Sequence, residues 1–265
     1  LGRMSCRFWK DDRKTVNIRP MKTRFTTLFL TVFVLAQPFD ATSQTPVSSG
    51  ATATVAQPGT QASEWSTNPV LLRLNSFYAG TTDFAASFKQ VVETKSPKRS
   101  FRRGGNAYFK RPGMMRWDYS EPGVVSYVSS GGILWVYDSE DGSALKMNVA
   151  DSELYSALGF LSGTSALAES FSAQVEPSGT PGFSSVKLLP LTAGASFRHL
   201  VLLVKDSTGE VVETEVLDPA GNVSRIRFES PRYVPIPASA FQFSVPAGVK
   251  VQDLTADRAG KGQVR

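Results

Sequence analysis

Asn106–Pro122 reads NAYFKRPGMMRWDYSEP, a run of alternating side chains broken once by Pro112-Gly113. Period-two alternation places Ala107, Phe109 and Arg111 on one face of a strand. Beyond the Pro-Gly turn, Met115, Trp117 and Tyr119 share one face of the next strand, with Arg116 and Asp118 on the other. The stretch reads as a β-hairpin with one aromatic face, and Arg111 stands among its rings. A guanidinium there is costly unless its donors are satisfied, most cheaply by backbone carbonyls; alternatively Arg111, beside the turn, snorkels to solvent.

The same pattern extends in both directions. Upstream, Asn68-Pro69 opens a short amphipathic helix through Val70, Leu71, Leu72, Leu74 and Phe77. Phe84, Ala86, Phe88, Gln90 and Val92 then alternate with polar residues such as Asp83, Ser87 and Lys89, which marks a strand. Downstream, strands are expected at Val124–Val128, Ile133–Asp138, Ser185–Leu189, Phe197–Lys205, Val211–Leu217, Val223–Glu229 and Ala240–Val245. Turn sequences such as Gly131-Gly132, Asp206 to Gly209 and Asp218 to Asn222 separate them. Asp151–Ser172 departs from the pattern: Leu154, Leu158 and Leu161, then Leu167 and Phe171, recur at spacings of three and four with Gly163 between the groups. That spacing predicts two short helices inserted in a mostly β chain. Many short strands joined by tight turns make one large antiparallel sheet, and a sheet of that size must curl.

Charge and cysteine usage bound the function. The net charge of +6 is concentrated at the front: residues 1–43 hold eight basic and three acidic residues, a balance of +5, leaving +1 for the rest. A nearly neutral domain has no electrostatic reason to seek phosphates, so nucleic acid is not an expected partner. Within 1–43, Met21-Lys22-Thr23-Arg24 is a short basic segment, Phe25–Ala36 an apolar run too short to span a bilayer, and Ala41-Thr42-Ser43 a small-x-small cleavage site. This predicts a cleavable export signal, with residues 1–20 as upstream sequence translated in error. Residues 44–66, rich in Ser, Thr, Ala, Gln, Pro and Gly, read as a flexible linker; 67–253 is the folded domain and 254–265 a polar tail. Cys6 is the single cysteine and precedes the signal. The exported part is therefore expected to lack disulfides, thiol chemistry and cysteine metal ligands, and to be soluble in the periplasm with no lipid anchor.

No catalytic constellation emerges. The single histidine, His199, lies in a strand pattern, and neither a Gly-x-Ser-x-Gly, a His-Glu-x-x-His nor a phosphate-cradling Gly-rich loop is present. Asp138, Glu140 and Asp141 miss the spacing of a calcium loop. The expectation is a binding protein with no catalytic residues, metal or cofactor; Trp117 and Trp135 read individually as core residues and only as a cluster as a pocket.

Taken together, Lys110-Arg111-Pro112 followed by Trp117 and Pro122, the strand Leu134-Trp135-x-Tyr137, the helical insert and the closing 221–251 stretch resemble the periplasmic outer-membrane lipoprotein carrier family, LolA, over roughly Pro69 to Val251. Met115, where an aromatic residue is frequent, and the turn Asp138 to Gly142 depart from its pattern. The resemblance implies an unclosed, strongly curved antiparallel β-barrel or half-barrel covered by short α-helices, with an apolar cavity for the acyl chains of lipoproteins. Residues assigned to that cavity and its lid are Phe84, Phe88, Phe109, Arg111, Met115, Trp117, Tyr119, Leu134, Leu154, Leu158 and Leu161. Arg111 is implied to hold the lid shut through hydrogen bonds to lid backbone. Implied partners of this monomer are lipidated proteins, an inner-membrane release transporter and an outer-membrane lipoprotein receptor. The alternatives are a periplasmic lipid- or lipoprotein-sensing module of the same fold, expected to carry a second domain, and a hydrolase.

Overall fold

The computed structural model describes residues 64–152, 159–162, 167–192 and 195–255. Helix α1 spans Pro69–Gly80. Twelve strands follow: β1 Asp83–Lys95, β2 Lys98–Lys110, β3 Met114–Glu121, β4 Val125–Ser130, β5 Ile133–Asp138, β6 Ser143–Asn148, β7 Phe171–Pro177, β8 Phe183–Pro190, β9 His199–Lys205, β10 Val211–Leu217, β11 Val223–Arg232 and β12 Lys250–Asp253. A 3-10 turn at Val149–Asp151, a helical turn at 159–162 and helix α2, Leu167–Ser170, lie between β6 and β7.

All twelve strands belong to one curved, unclosed sheet in the order β12-β6-β5-β4-β3-β2-β1-β11-β10-β9-β8-β7. Every neighbouring pair is antiparallel except β12 with β6. The first crossover joins β1 to β11, so the chain winds outward in one direction from β1 through β6 and returns from β7 to close against β1. Cross-strand partners share a face. Register therefore carries one apolar face across the sheet: Phe109 pairs with Phe84 and Met115, Ala107 with Ala86 and Trp117, and Phe88 with Phe228. Beyond β11 the same face continues through Ile226, Thr214, Leu202 and Val186. The opposite face of that half is charged, with Arg225 bridging Glu215 and Glu93, and Arg227 pairing with Glu213.

Two features bring β2 close against β3. A register shift between Gly104 and Gly105 kinks β2 against β3. A Cβ at Gly105 would lie 2.0 Å from Asp118 O, so only glycine permits that approach. Directly opposite, Phe88 lays its ring into the space left on the inward face, 4.7 Å from Trp117 and 5.0 Å from Tyr119 between ring centres.

Several expectations are corrected. Ala240–Val245 is not a strand: Ala238–Phe241 is a 3-10 turn lying against β3 and β4, where Arg116 Nη1 donates to Ala240 O at 3.0 Å, and Phe243 packs on Trp135 and Tyr137 of β5. The chain then returns as β12, which pairs in parallel with β6, so the sheet is not wholly antiparallel. Leu254 N–H still donates to Lys146 O at 2.8 Å, so the tail begins later than 254. At the other end, residues 64–67 are helical; Trp65 is buried and its Nε1 donates to Phe171 O at 3.0 Å, so the expected linker ends before Glu64. Phe171 and Ser172 belong to β7 and not to an inserted helix. Leu154, Leu158, Gly163, the signal segment, Cys6 and the remainder of the linker lie outside the described residues.

Candidate functional site

The inward face is covered by α1 and, among the described residues after β6, by Phe160, Leu161 and Leu167. Asn68 caps α1, its side chain accepting from Val70 N–H at 3.0 Å, and Pro69 occupies the first turn, where no N–H is needed. Leu71, Leu74 and Tyr78 recur at three and four residues and are buried, whereas Leu72 points outward. The helix is fixed at two further points. Val211 N–H donates to the Tyr78 hydroxyl at 3.0 Å, and Gly209, at φ +84°, lies flush against the α1 backbone, where a Cβ would meet Arg73 C and O at 2.3 Å. Burial raises the Tyr78 phenol far above its usual range.

The second part of the cover is tied to the β2–β3 turn. Arg111 Nη2 donates to Phe160 O at 3.3 Å, and Gly113 N–H donates to Ser162 O at 2.9 Å. Phe160 in turn stacks edge-on against Tyr78, 5.1 Å between ring centres, linking this segment to α1. Arg111 is itself positioned by its own N–H, which donates to Thr82 O at 2.8 Å. Beside it, Lys110 pairs with the buried Asp83 at 2.8 Å, and Ile236 N–H donates to the same carboxylate oxygen at 3.0 Å.

Of the residues assigned to the cavity and lid, Phe84, Phe88, Phe109, Met115, Trp117, Tyr119 and Leu161 are brought into one buried cluster. They fill one another's space: Trp117 is wholly buried, with Phe109 at 5.6 Å and Phe228 at 6.2 Å between ring centres. Leu134 lies on the same face, separated from Met115 by Ser129 on the intervening strand. Trp135 faces the other way, against Phe243 at 5.2 Å. An open groove of about 400 Å³, bordered by Leu72, Arg73, Ser76, Phe77, Ser207 and Thr208, lies outside the sheet, and none of the predicted lining residues borders it.

At the end of the inward face away from Arg111, Tyr119 OH donates to Gln90 Oε1 at 3.0 Å and Gln90 Nε2 donates to Ser224 Oγ at 2.9 Å. Burial holds the Tyr119 phenol protonated far beyond its ordinary range. Sequence reasoning missed this network; Gln90 on an otherwise apolar face was the available signal. It also missed four buried polar atoms that, among the described residues, have no hydrogen-bond partner: Arg111 Nε, Trp117 Nε1, Ser129 Oγ and Thr214 Oγ1. All four belong to residues on the inward face by register or alternation. Leaving such a group unmade costs about 1–3 kcal/mol, and a buried indole N–H ordinarily finds an acceptor. His199, by contrast, is partly exposed on β9, its pKa lowered by burial and by Lys187.

Fold and site together define a class: a mostly β shell whose inward face is apolar and lies beneath a helical cover. The family model described as outer membrane lipoprotein carrier protein LolA matches residues 79–244. An outer-membrane lipoprotein carrier protein of Methylococcus capsulatus is 34% identical over 183 residues, covering 68% of this chain and 85% of that protein. Its counterpart from Alkalilimnicola ehrlichii is 31% identical over 187 residues, covering 70% and 84%. Among solved structures, a LolA superfamily protein from Nitrosomonas europaea superposes with a TM-score of 0.41 at 9% identity, covering 66% of this chain and 96% of that one. The chain belongs to the outer membrane lipoprotein carrier protein LolA family.

Proposed function

We propose that the protein is a periplasmic carrier that shields the acyl chains of lipoproteins against its inward face and moves them from the inner to the outer membrane without covalent chemistry. The observation that carries this reading is the apolar inward face beneath a cover tied to the β2–β3 turn by hydrogen bonds from Arg111 to Phe160 and from Gly113 to Ser162. The printed function of the relatives, outer-membrane lipoprotein carrier protein, supports it.

Energetics explain why such a carrier is needed and how it lets go. Each methylene exposed to water loses about 0.8 kcal/mol, so an acyl chain of roughly 15 carbons costs on the order of 12 kcal/mol to move unescorted. On the inward face the rings of Phe84, Phe88, Phe109 and Trp117 pack on one another. Admitting a chain therefore requires the rings to part and the 159–162 segment to lift, which forfeits the hydrogen bonds at Arg111 and Gly113. That loss keeps binding shallower than membrane insertion, so that cargo is released. Export through the signal in 21–43, a soluble monomeric state, and docking to a release transporter and a receptor complete the proposal.

The test is extraction. Membranes bearing a labelled lipoprotein are incubated with the purified protein and an energised release system, and the supernatant is sized. A soluble one-to-one complex is the expected product; lipoprotein that remains wholly in the membrane overturns the reading.

A further inference from the structure

Two of the polar atoms left unpartnered among the described residues lie on adjacent strands, Trp117 Nε1 on β3 and Ser129 Oγ on β4, whereas Arg111, just past the end of β2, lies beyond Phe109 on the side away from Trp117. Ser129 pairs directly with Met115, which pairs with Phe109; Trp117 lies one step along the same inward face of β3. Neighbouring strands are about 4.8 Å apart and same-face residues of one strand about 7 Å. We propose, resting on the carrier reading, that Trp117 Nε1 and Ser129 Oγ donate to the acyl carbonyl oxygens of the guest. The inward face would then recognise the ester linkage as well as the methylenes.

The chemistry selects the ligand class. Indole Nε1 is a donor only, and the serine hydroxyl has a proton to give, so the missing partners are acceptors. A bare hydrocarbon supplies none. A carboxylate or phosphate would have to shed its water on a face where Phe84, Phe88, Phe109, Met115 and Trp117 surround it, which disfavours charge. Neutral ester carbonyls meet both conditions, and two on adjacent glycerol carbons lie within reach of donors on adjacent strands.

The experiment compares two matched lipopeptides with the purified full chain: one carries two palmitoyl esters on an S-glyceryl cysteine, the other two ether-linked hexadecyl chains. The expected result is binding of the diester about three- to tenfold tighter than the diether. Trp117→Phe, which keeps a ring, and Ser129→Ala, which is nearly isosteric, should each bring that ratio toward one. Equal binding of both probes to the wild type, or an unchanged ratio in both variants, overturns the inference and leaves the carrier reading standing. Binding of neither probe overturns both. A diester phosphatidylglycerol and its diether counterpart form a second pair: an ester preference shared with the lipopeptides supports the proposal, and one confined to the phospholipids overturns an acylated protein as its source.

Discussion

Arg111 joins sheet and cover through one guanidinium nitrogen while another stays unpartnered, and its effect should be separable from folding. Replacing it by Leu removes the bond to Phe160 O and leaves a side chain that suits the apolar face, so the open state gains. Arg111→Leu is expected to retain more lipid after purification than the wild type, measured by mass spectrometry of extracted protein; equal lipid content contradicts this role. Gly209 tests the opposite part of the cover. An alanine there meets an unfavourable φ of +84° and a 2.3 Å approach to the Arg73 carbonyl, so α1 must be pushed away. A loss of about 2 kcal/mol is expected in urea unfolding, and an unchanged midpoint would show that α1 is not pinned there. Thr214→Val replaces an unpartnered buried hydroxyl by a methyl of similar shape, and should raise stability by about 1 kcal/mol in the same assay.

Elements differ in how legibly the sequence announces them. Strands β3 and β10, flanked by Gly-containing turns, follow from alternation because one face is buried and the other carries charged residues, whereas β5 and β9 are apolar runs marked out by the turns that bound them. Their shared inward face is legible too, since Phe109, Met115 and Trp117 keep strict parity across the Pro112-Gly113 turn. Three strands escape that reading for separate reasons. In β6, Ala144, Leu145 and Met147 put apolar residues on both faces, because the returning C-terminal segment covers the outward one. The start of β7 is masked by the helical spacing of Leu167 and Phe171. β12 is exposed throughout and has no apolar pattern to betray it; backbone pairing with β6 defines it. The unpartnered atoms of the site are illegible in principle, since a sequence specifies donors and not the absence of acceptors around them. Phe241, only 1% exposed, shows that the C-terminal return belongs to the fold. Phe241→Ala should cost about 3 kcal/mol by thermal or denaturant unfolding; a neutral result would make that return dispensable.

For the whole molecule, acid is the informative stress. Burial alone would raise the pKa of Asp83, but the Lys110 ammonium, Ile236 N–H and Thr82 together outweigh it and hold the carboxyl below its ordinary value. A carboxyl with a lower pKa folded than unfolded stabilises fully above about pH 4 and loses that contribution as the pH falls further. Asp253, paired with Lys146 and bonded to Thr255, is lowered to about 2 in the same sense, though its exposure to solvent weakens its effect. Stability should therefore fall from pH 4 toward pH 2, and Asp83→Asn should flatten that fall; an acid limb of unchanged slope would contradict the assignment. The account as a whole turns on where an acyl chain goes when it enters a face already filled with rings. A lipopeptide bearing a photoactivatable diazirine midway along its acyl chain, bound, irradiated and mapped by peptide mass spectrometry, answers this directly. Labels are predicted on Phe88, Phe109, Met115 or Trp117; labels confined to the outward face around Trp135 and Phe243, or to the groove beside Leu72 and Phe77, would contradict the account.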